Sequence, residues 1–274
     1  MRSSKRRGAR AVRAGAAGLV LLALAAVAAP LLTAADPYAP ALGERLRPPG
    51  PGHPLGQDAL GRDVLARVLH GARISLLVGG ITVVLSLAAG LTLGAAAGFA
   101  GGWLDEVVMR SIDLLLAFPG LLLAIALAAV LGPSVRNVVL ALSLLGWTGY
   151  ARLVRAEVAA LRRREFVHAA EALGARPGRI ITCHLLPLVA PALLVQATFG
   201  MAGAIVAESS LSFLGLGAPP PLASWGAMVD EGRGFLLVAP HLTVFPGMAL
   251  AATVLALQLL GDGLRDLLDV RERP

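Results

Sequence analysis

The sequence is 274 residues long, 57% apolar and only 15% charged, with a mean hydropathy of +0.76. That leaves too little polar surface to clothe a water-soluble globule of this size, so lipid is the solvent for most of the chain and soluble enzyme folds are excluded. The net charge of +7 sits in basic residues that flank apolar runs rather than clustering with aromatics, which argues against nucleic acid as a partner, and the single cysteine, Cys183, excludes an intrachain disulfide and a cysteine-built metal cluster.

A helix needs about 20 largely uncharged residues to cross a hydrocarbon core of roughly 30 Å. Six such runs follow one another, which predicts an all-α polytopic membrane protein of about six transmembrane helices. Residues 1–13 form a basic amino terminus and 14–35 the first span. Arg6-Arg7, the apolar run and the small residues at 26–29 also have the form of an export signal, but five further spans favour a retained anchor. Residues 36–73 read as an extracytoplasmic segment with an amphipathic helix: Val64, Leu65, Val68, Leu69 and Ala72 make one apolar stripe, with Arg62, Asp63, Arg67 and His70 elsewhere around it. Such a helix lies on the outer membrane surface or against a partner, or merely covers the bundle. Asp58 is expected to cap its start, and Gly56 and Gly61 to permit the tight entry. His53 and His70 read as solvated loop histidines.

Residues 74–265 hold the remaining spans: the second within 74–102, the third over 107–131 with Arg110 and Asp113 near its start, the fourth at 137–153, the fifth at 188–207 and the sixth within 235–261. Gly90, Gly94 and Gly98 recur every four residues on one face of the second span, which predicts close packing against a helix of this chain or of a second one. The basic stretch 152–187 is too polar to cross, and 266–274 form a terminal tail. Lys and Arg concentrate on cytoplasmic loops. Placing both termini inside puts 17 of the 24 Lys and Arg residues on that side, including seven in the 152–187 stretch.

That stretch reads Glu165-Phe-Val-His-Ala-Ala-Glu-Ala-Leu-Gly174, continues through Pro177-Gly178, and ends His184-Leu-Leu-Pro187. It predicts a short helix, a stop at Gly174, a turn, and a second short helix entering the fifth span. Ala169, Ala170, Gly174, Leu186 and Pro187 stand at the spacing of the cytoplasmic signature of ABC-importer permeases, which the chain resembles here; His168 replaces the usual Glu and His184 the usual Ile. Glu165 or Glu171, one turn to either side of His168, is placed to make the ion pair of the missing Glu. Two further segments narrow the resemblance: residues 55–76, with Gly56, Asp58, Gly61, Arg62 and Asp63, and residues 208–226, from Glu208-Ser-Ser-Leu-Ser-Phe-Leu-Gly215 through the three prolines at 219–221 to Ser224-Trp-Gly226. They are similar to the second permease subunit of the dipeptide/oligopeptide/nickel-type family.

The resemblance implies a type I ABC importer permease fold with cytoplasmic coupling helices, in a bacterial cytoplasmic membrane. It also implies a homologous second permease, two ATPase subunits that bind ATP and Mg, and an extracytoplasmic substrate-binding protein. The chain itself has no phosphate-binding Gly-x-x-x-x-Gly-Lys-Ser/Thr motif and no recognisable catalytic constellation, so it is expected to bind no cofactor and to be a transport subunit rather than an enzyme. The implied cargo is a short peptide, with nickel or another small solute as the alternative. A reading of a different class, an ion-coupled secondary transporter, needs charged residues within several spans. Glu208 reads either as a pathway or gate residue or as a helix-end residue capped by Ser209 or Ser210. Trp225 reads either as a binding-protein contact or as an interfacial anchor.

Overall fold

The computed structural model describes residues 2–33 and 35–268, without the side chains of residues 2–5; the predicted terminal tail lies outside it beyond residue 268. In chain order the helices are α1 (Arg2–Val27), α2 (Ala29–Leu32), α3 (Val64–Ala100), α4 (Gly102–Leu116), α5 (Gly120–Leu131), α6 (Val135–Arg162), α7 (Glu165–Ala172), α8 (Pro177–Arg179), α9 (Leu186–Phe213), α10 (Trp225–Arg233) and α11 (His241–Leu268). Five segments are long and apolar enough to cross a membrane by themselves: Arg6–Val27, Val64–Ala100, Val135–Arg162, Pro177–Phe213 and His241–Leu268. The pair α4 and α5 makes a sixth only as a broken span, bent by 84°. The described residues contain no β-sheet, only two isolated bridges in the loop before α3.

Several predicted boundaries shift, each for a local reason. The first span lies earlier than 14–35, because the basic amino-terminal residues continue the helix instead of preceding it. Its last carbonyls, Ala26 and Val27, accept from the Arg73 guanidinium at 2.6 and 2.9 Å, which satisfies the orphan acceptors of a helix end. The amphipathic segment is not a separate surface helix. Residues 64–73 are the first turns of α3, whose 37 residues extend about 55 Å, far more than the hydrocarbon core requires. Its cap is Asp63, which accepts from the Ala66 amide at 2.7 Å, and not Asp58. The third span is interrupted because Pro119 disfavours helical backbone at Phe118 and offers no N–H of its own. Arg152 to Arg162 belong to α6 rather than to the basic loop.

Glycines set how closely the helices approach. A methyl group built on Gly94 would fall 2.6 Å from the Ala151 carbonyl oxygen, and one on Gly98 2.7 Å from that of Arg155, so the predicted glycine face packs on α6 of this same chain. Gly15 meets Ala256 and Leu260 in the same way, seating α1 against α11 with Gly8 beside Asp266. The start of α1 and the end of α11 therefore lie together, at the same end of the bundle as the α6–α7 junction, where Arg162 donates to the Phe99 carbonyl at the end of α3. This is the loop end. At the opposite, cap end, residues 35–63, α10 and the loops beside it cover the start of α3 around a core of Val64, Ala223, Met228, Ala239 and Leu242.

Candidate functional site

Three groups of predicted residues occupy different heights of the bundle. At the loop end, α7 is tied to the core by the fully buried Val167, which packs with Ile180, Leu185 and Val189, and by the half-buried Ala170 against the same cluster. The outer face of α7 is open: Glu165, His168, Ala169 and Glu171 are exposed. His168 Nδ1 lies 3.5 Å from the Glu171 carboxylate, a pair within this short helix. Gly174 ends the helix at φ +81°, its N–H donating to the Glu171 carbonyl at 2.9 Å and the Ala175 N–H to that of Ala170 at 3.0 Å. This double closure requires a left-handed residue after the helix, which explains the glycine. The turn presents Leu173, 88% exposed, to solvent at its tip. Pro187 has no N–H for the Cys183 carbonyl, and the chain passes through a π-helical turn over Ile180–Leu185 before α9. Leu186 is half-buried there, while Pro187 and Cys183 are exposed.

Midway along the bundle, α3, α5, α6 and α9 enclose a cavity of about 300 Å³, open on one side. Its polar lining consists of Thr82, Ser86, Tyr150 and Gln196, set among Gly146, Gly200, Gly203 and aliphatic residues, with no Asp, Glu, Lys, Arg, His or Cys in the wall. None of these four residues stood out in the sequence. Single hydroxyls in apolar runs carry no periodic signal, and only their convergence makes them a site.

Towards the cap end, Glu208 does not face water. It is 2% exposed, and Ser212 donates to its Oε1 at 2.7 Å while Ser75 and Ser209 donate to Oε2 at 3.2 and 3.4 Å. The predicted cap by Ser210 is absent, since that hydroxyl donates to the Val206 carbonyl. A carboxylate deep among helices is tolerated when hydroxyls from several elements satisfy it, and here they join α9 to α3.

The family-motif residues of the loop before α3 converge in the cap. Asp58 accepts from Arg62 Nε and Arg67 Nη1, both at 2.6 Å, and both arginines also bind Glu231 of α10, at 2.8 and 2.7 Å. Arg67, 1% exposed, is therefore a buried ion-pair partner. Gly61 stands at φ +77°, and a methyl there would lie 1.9 Å from the Ala41 carbonyl oxygen; Gly56 shares the left-handed backbone. His53 also departs from its solvated reading, since its Nδ1 lies 2.7 Å from the Asp63 carboxylate. Trp225 is neither an interfacial anchor nor an exposed contact. It is fully buried beside Ala26 and Ala72, and its indole N–H donates to the Val68 carbonyl at 3.0 Å.

Residues 90–274 match the family model described as the inner membrane component of binding-protein-dependent transport systems. A dipeptide transport system permease protein, DppC, of Alkalihalophilus pseudofirmus is 43% identical over 92% of this chain and 84% of its own length. A putative peptide transport system permease protein of Brucella suis is 46% identical over 96% of the chain and 88% of its own length. The glutathione transport system permease protein GsiD of Pectobacterium atrosepticum is 44% identical over 81% and 73%. The resemblance read from three short motifs thus extends over nearly the whole chain, and it replaces the secondary-transporter alternative. The chain belongs to the family of binding-protein-dependent transport system inner membrane components, as an all-helical, non-catalytic permease subunit of an ABC-type transporter.

Proposed function

We propose that this chain forms one half of the translocation path for short peptides, delivered by an extracytoplasmic binding protein and moved by ATP hydrolysis on separate subunits. The observation that carries the cargo assignment is the uncharged, hydroxyl- and amide-lined cavity between α3, α5, α6 and α9. It suits a solute rich in hydrogen-bonding amides and offers none of the imidazole, thiolate or carboxylate ligands that a nickel ion takes. The similar permeases, which belong to dipeptide, peptide and glutathione transport systems, agree with it. The cavity's open side is where a homologous second permease completes the path.

The α7–Gly174 segment docks on an ATPase subunit through Glu165, His168, Ala169, Ala170 and Glu171, with Leu173 as an apolar anchor at the tip. Leu186 and Pro187 carry its movement into α9, and two ATPase subunits, holding ATP and Mg, serve the two permeases. The arginine-rich loop end is cytoplasmic and the cap end, with Gly56, Asp58, Gly61, Arg62 and Asp63, faces the binding protein. In this arrangement Glu208 and Trp225 are anchors inside the cap rather than gate or contact residues.

Uptake of labelled dipeptides and of labelled nickel, measured with and without this gene and after ATP depletion, tests the cargo. ATP-dependent peptide uptake is expected to fall while nickel uptake holds; the reverse outcome would remove the peptide assignment. A membrane-impermeant maleimide is expected to label Cys183 in inside-out vesicles only, and labelling in right-side-out vesicles would invert the topology.

A further inference from the structure

The helices that wall the cavity hold two hydroxyls that the fold itself leaves unused, both sealed from the cavity's open space in this conformation. Thr82 and Tyr150 are each 4% exposed, and Thr82 Oγ1 and Tyr150 Oη have no hydrogen-bond partner among the described residues. Ser86 is scarcely better placed, reaching the Ser143 carbonyl only at 3.5 Å, the outer limit of such a bond. Buried hydroxyls are normally paired, because an unmade bond costs more than a made one contributes. Nor is their placement an accident of loose packing. Gly200 leaves the space that the Tyr150 hydroxyl occupies, since a methyl there would fall 2.2 Å from Oη, and Gly146 does the same for Ser86 Oγ at 2.5 Å.

We propose that, once the helices part to open the path, Thr82, Ser86 and Tyr150 bind the main-chain amides of a peptide in transit, so that this permease recognises peptide backbone and is indifferent to side chains and terminal charges. The proposal rests on the peptide reading above and adds the groups that recognise the cargo. A hydroxyl both donates and accepts, so it can meet either the N–H or the C=O of an amide as the chain shifts register. The spacing also fits: Thr82 and Ser86 are one turn apart on α3, about 6 Å along its axis. Amides on one side of an extended peptide recur every second residue, about 7 Å. The absence of charged groups from the wall leaves no element that would select an acidic or basic side chain.

The test uses the complete transporter, with both permeases, its ATPases and its binding protein, in proteoliposomes. Uptake of three labelled peptides of equal length, bearing an acidic, a basic or an apolar side chain, is compared for Thr82→Val, Thr82→Ser and Tyr150→Phe. The amount and thermal stability of assembled complex are measured for each variant, and uptake is expressed per assembled transporter. Thr82→Val and Tyr150→Phe are each expected to lower uptake about three- to tenfold, by the same factor for all three peptides, and Thr82→Ser to restore it. Wild-type uptake in both variants, or a loss that depends on the side chain, overturns the backbone-recognition proposal while leaving the peptide reading intact. If the wild-type transporter carries none of the peptides, the peptide reading itself fails, and this proposal with it.

Discussion

The two polar ends of the bundle use their charged side chains in opposite ways. At the cap end, Asp58, Arg62 and Arg67 are almost completely buried and bind one another and Glu231, so the charges are consumed in holding the loop before α3 to α10. At the loop end, Glu165, His168 and Glu171 are exposed, and among the described residues they make a single weak pair within α7. Buried ion pairs fix geometry and are costly to break, whereas exposed ones contribute little to stability. The contrast separates an end held rigid by its own charges from an exposed end, where we propose that another protein docks.

The largest effect is expected where the comparison is easiest to break. Asp58→Asn leaves two buried guanidiniums with Glu231 as their one remaining carboxylate in the cluster and should cost about 3–5 kcal/mol, seen as loss of assembled, monodisperse transporter on size-exclusion chromatography. Near-wild-type assembly would mean that the cap does not depend on its ion pairs. Next comes Glu208, for which Glu208→Leu strands the Ser75 and Ser212 hydroxyls and should lower thermal stability by about 2–3 kcal/mol, while Glu208→Gln, which keeps an acceptor, should cost about 1 kcal/mol and leave uptake per transporter unchanged. A transport defect in a stable Glu208→Gln protein would instead restore the gate reading.

At the loop end the same kinds of change should spare the fold. Gly174→Ala forces an alanine to φ +81°, a local cost of about 1–2 kcal/mol, and should leave membrane insertion intact while uncoupling ATP hydrolysis from uptake. Leu173→Asp should change stability by no more than about 0.5 kcal/mol yet reduce co-purification of the ATPase subunits. Unaltered co-purification would place the docking surface elsewhere.

The smallest effect is a pH dependence of the cap. The Gln57 amide, and then Arg47, hold the Glu44 carboxyl below its ordinary value of 4.5. A lowered folded value stabilises the folded state above the ordinary carboxylate range, and that contribution disappears as pH falls through the folded value. Because Glu44 is in contact with water, the effect should be slight: the acid-induced loosening of the cap, followed by hydrogen exchange of residues 42–63, should be a little flatter with pH in Glu44→Gln.

Much of this was legible in the sequence because it depends on neighbours along the chain. Apolar runs announce spans, and the Gly174 stop follows from backbone sterics at one position, so both needed no knowledge of what packs against them. The seven arginines of the 152–187 stretch likewise marked one end of the bundle before any helix was placed. What a polar side chain does could not be read in the same way. Arg67 could be placed only off the apolar stripe, because helical periodicity reports a face but not what covers it, and its partner Glu231 lies 164 residues away. Trp225 and Glu208 were each left between two readings for the same reason, and only the approach of α3 put both inside.

By itself, the sequence determined that this chain lives in lipid as about six helices with a basic loop that contains a glycine turn, since composition, span length and left-handed backbone are local properties. The tertiary structure alone decided that the third span breaks by 84° at Pro119, that the motif charges close into a buried cluster, and that four scattered hydroxyl and amide groups share one cavity. Those outcomes depend on which helices meet, and at what distance the glycines let them meet.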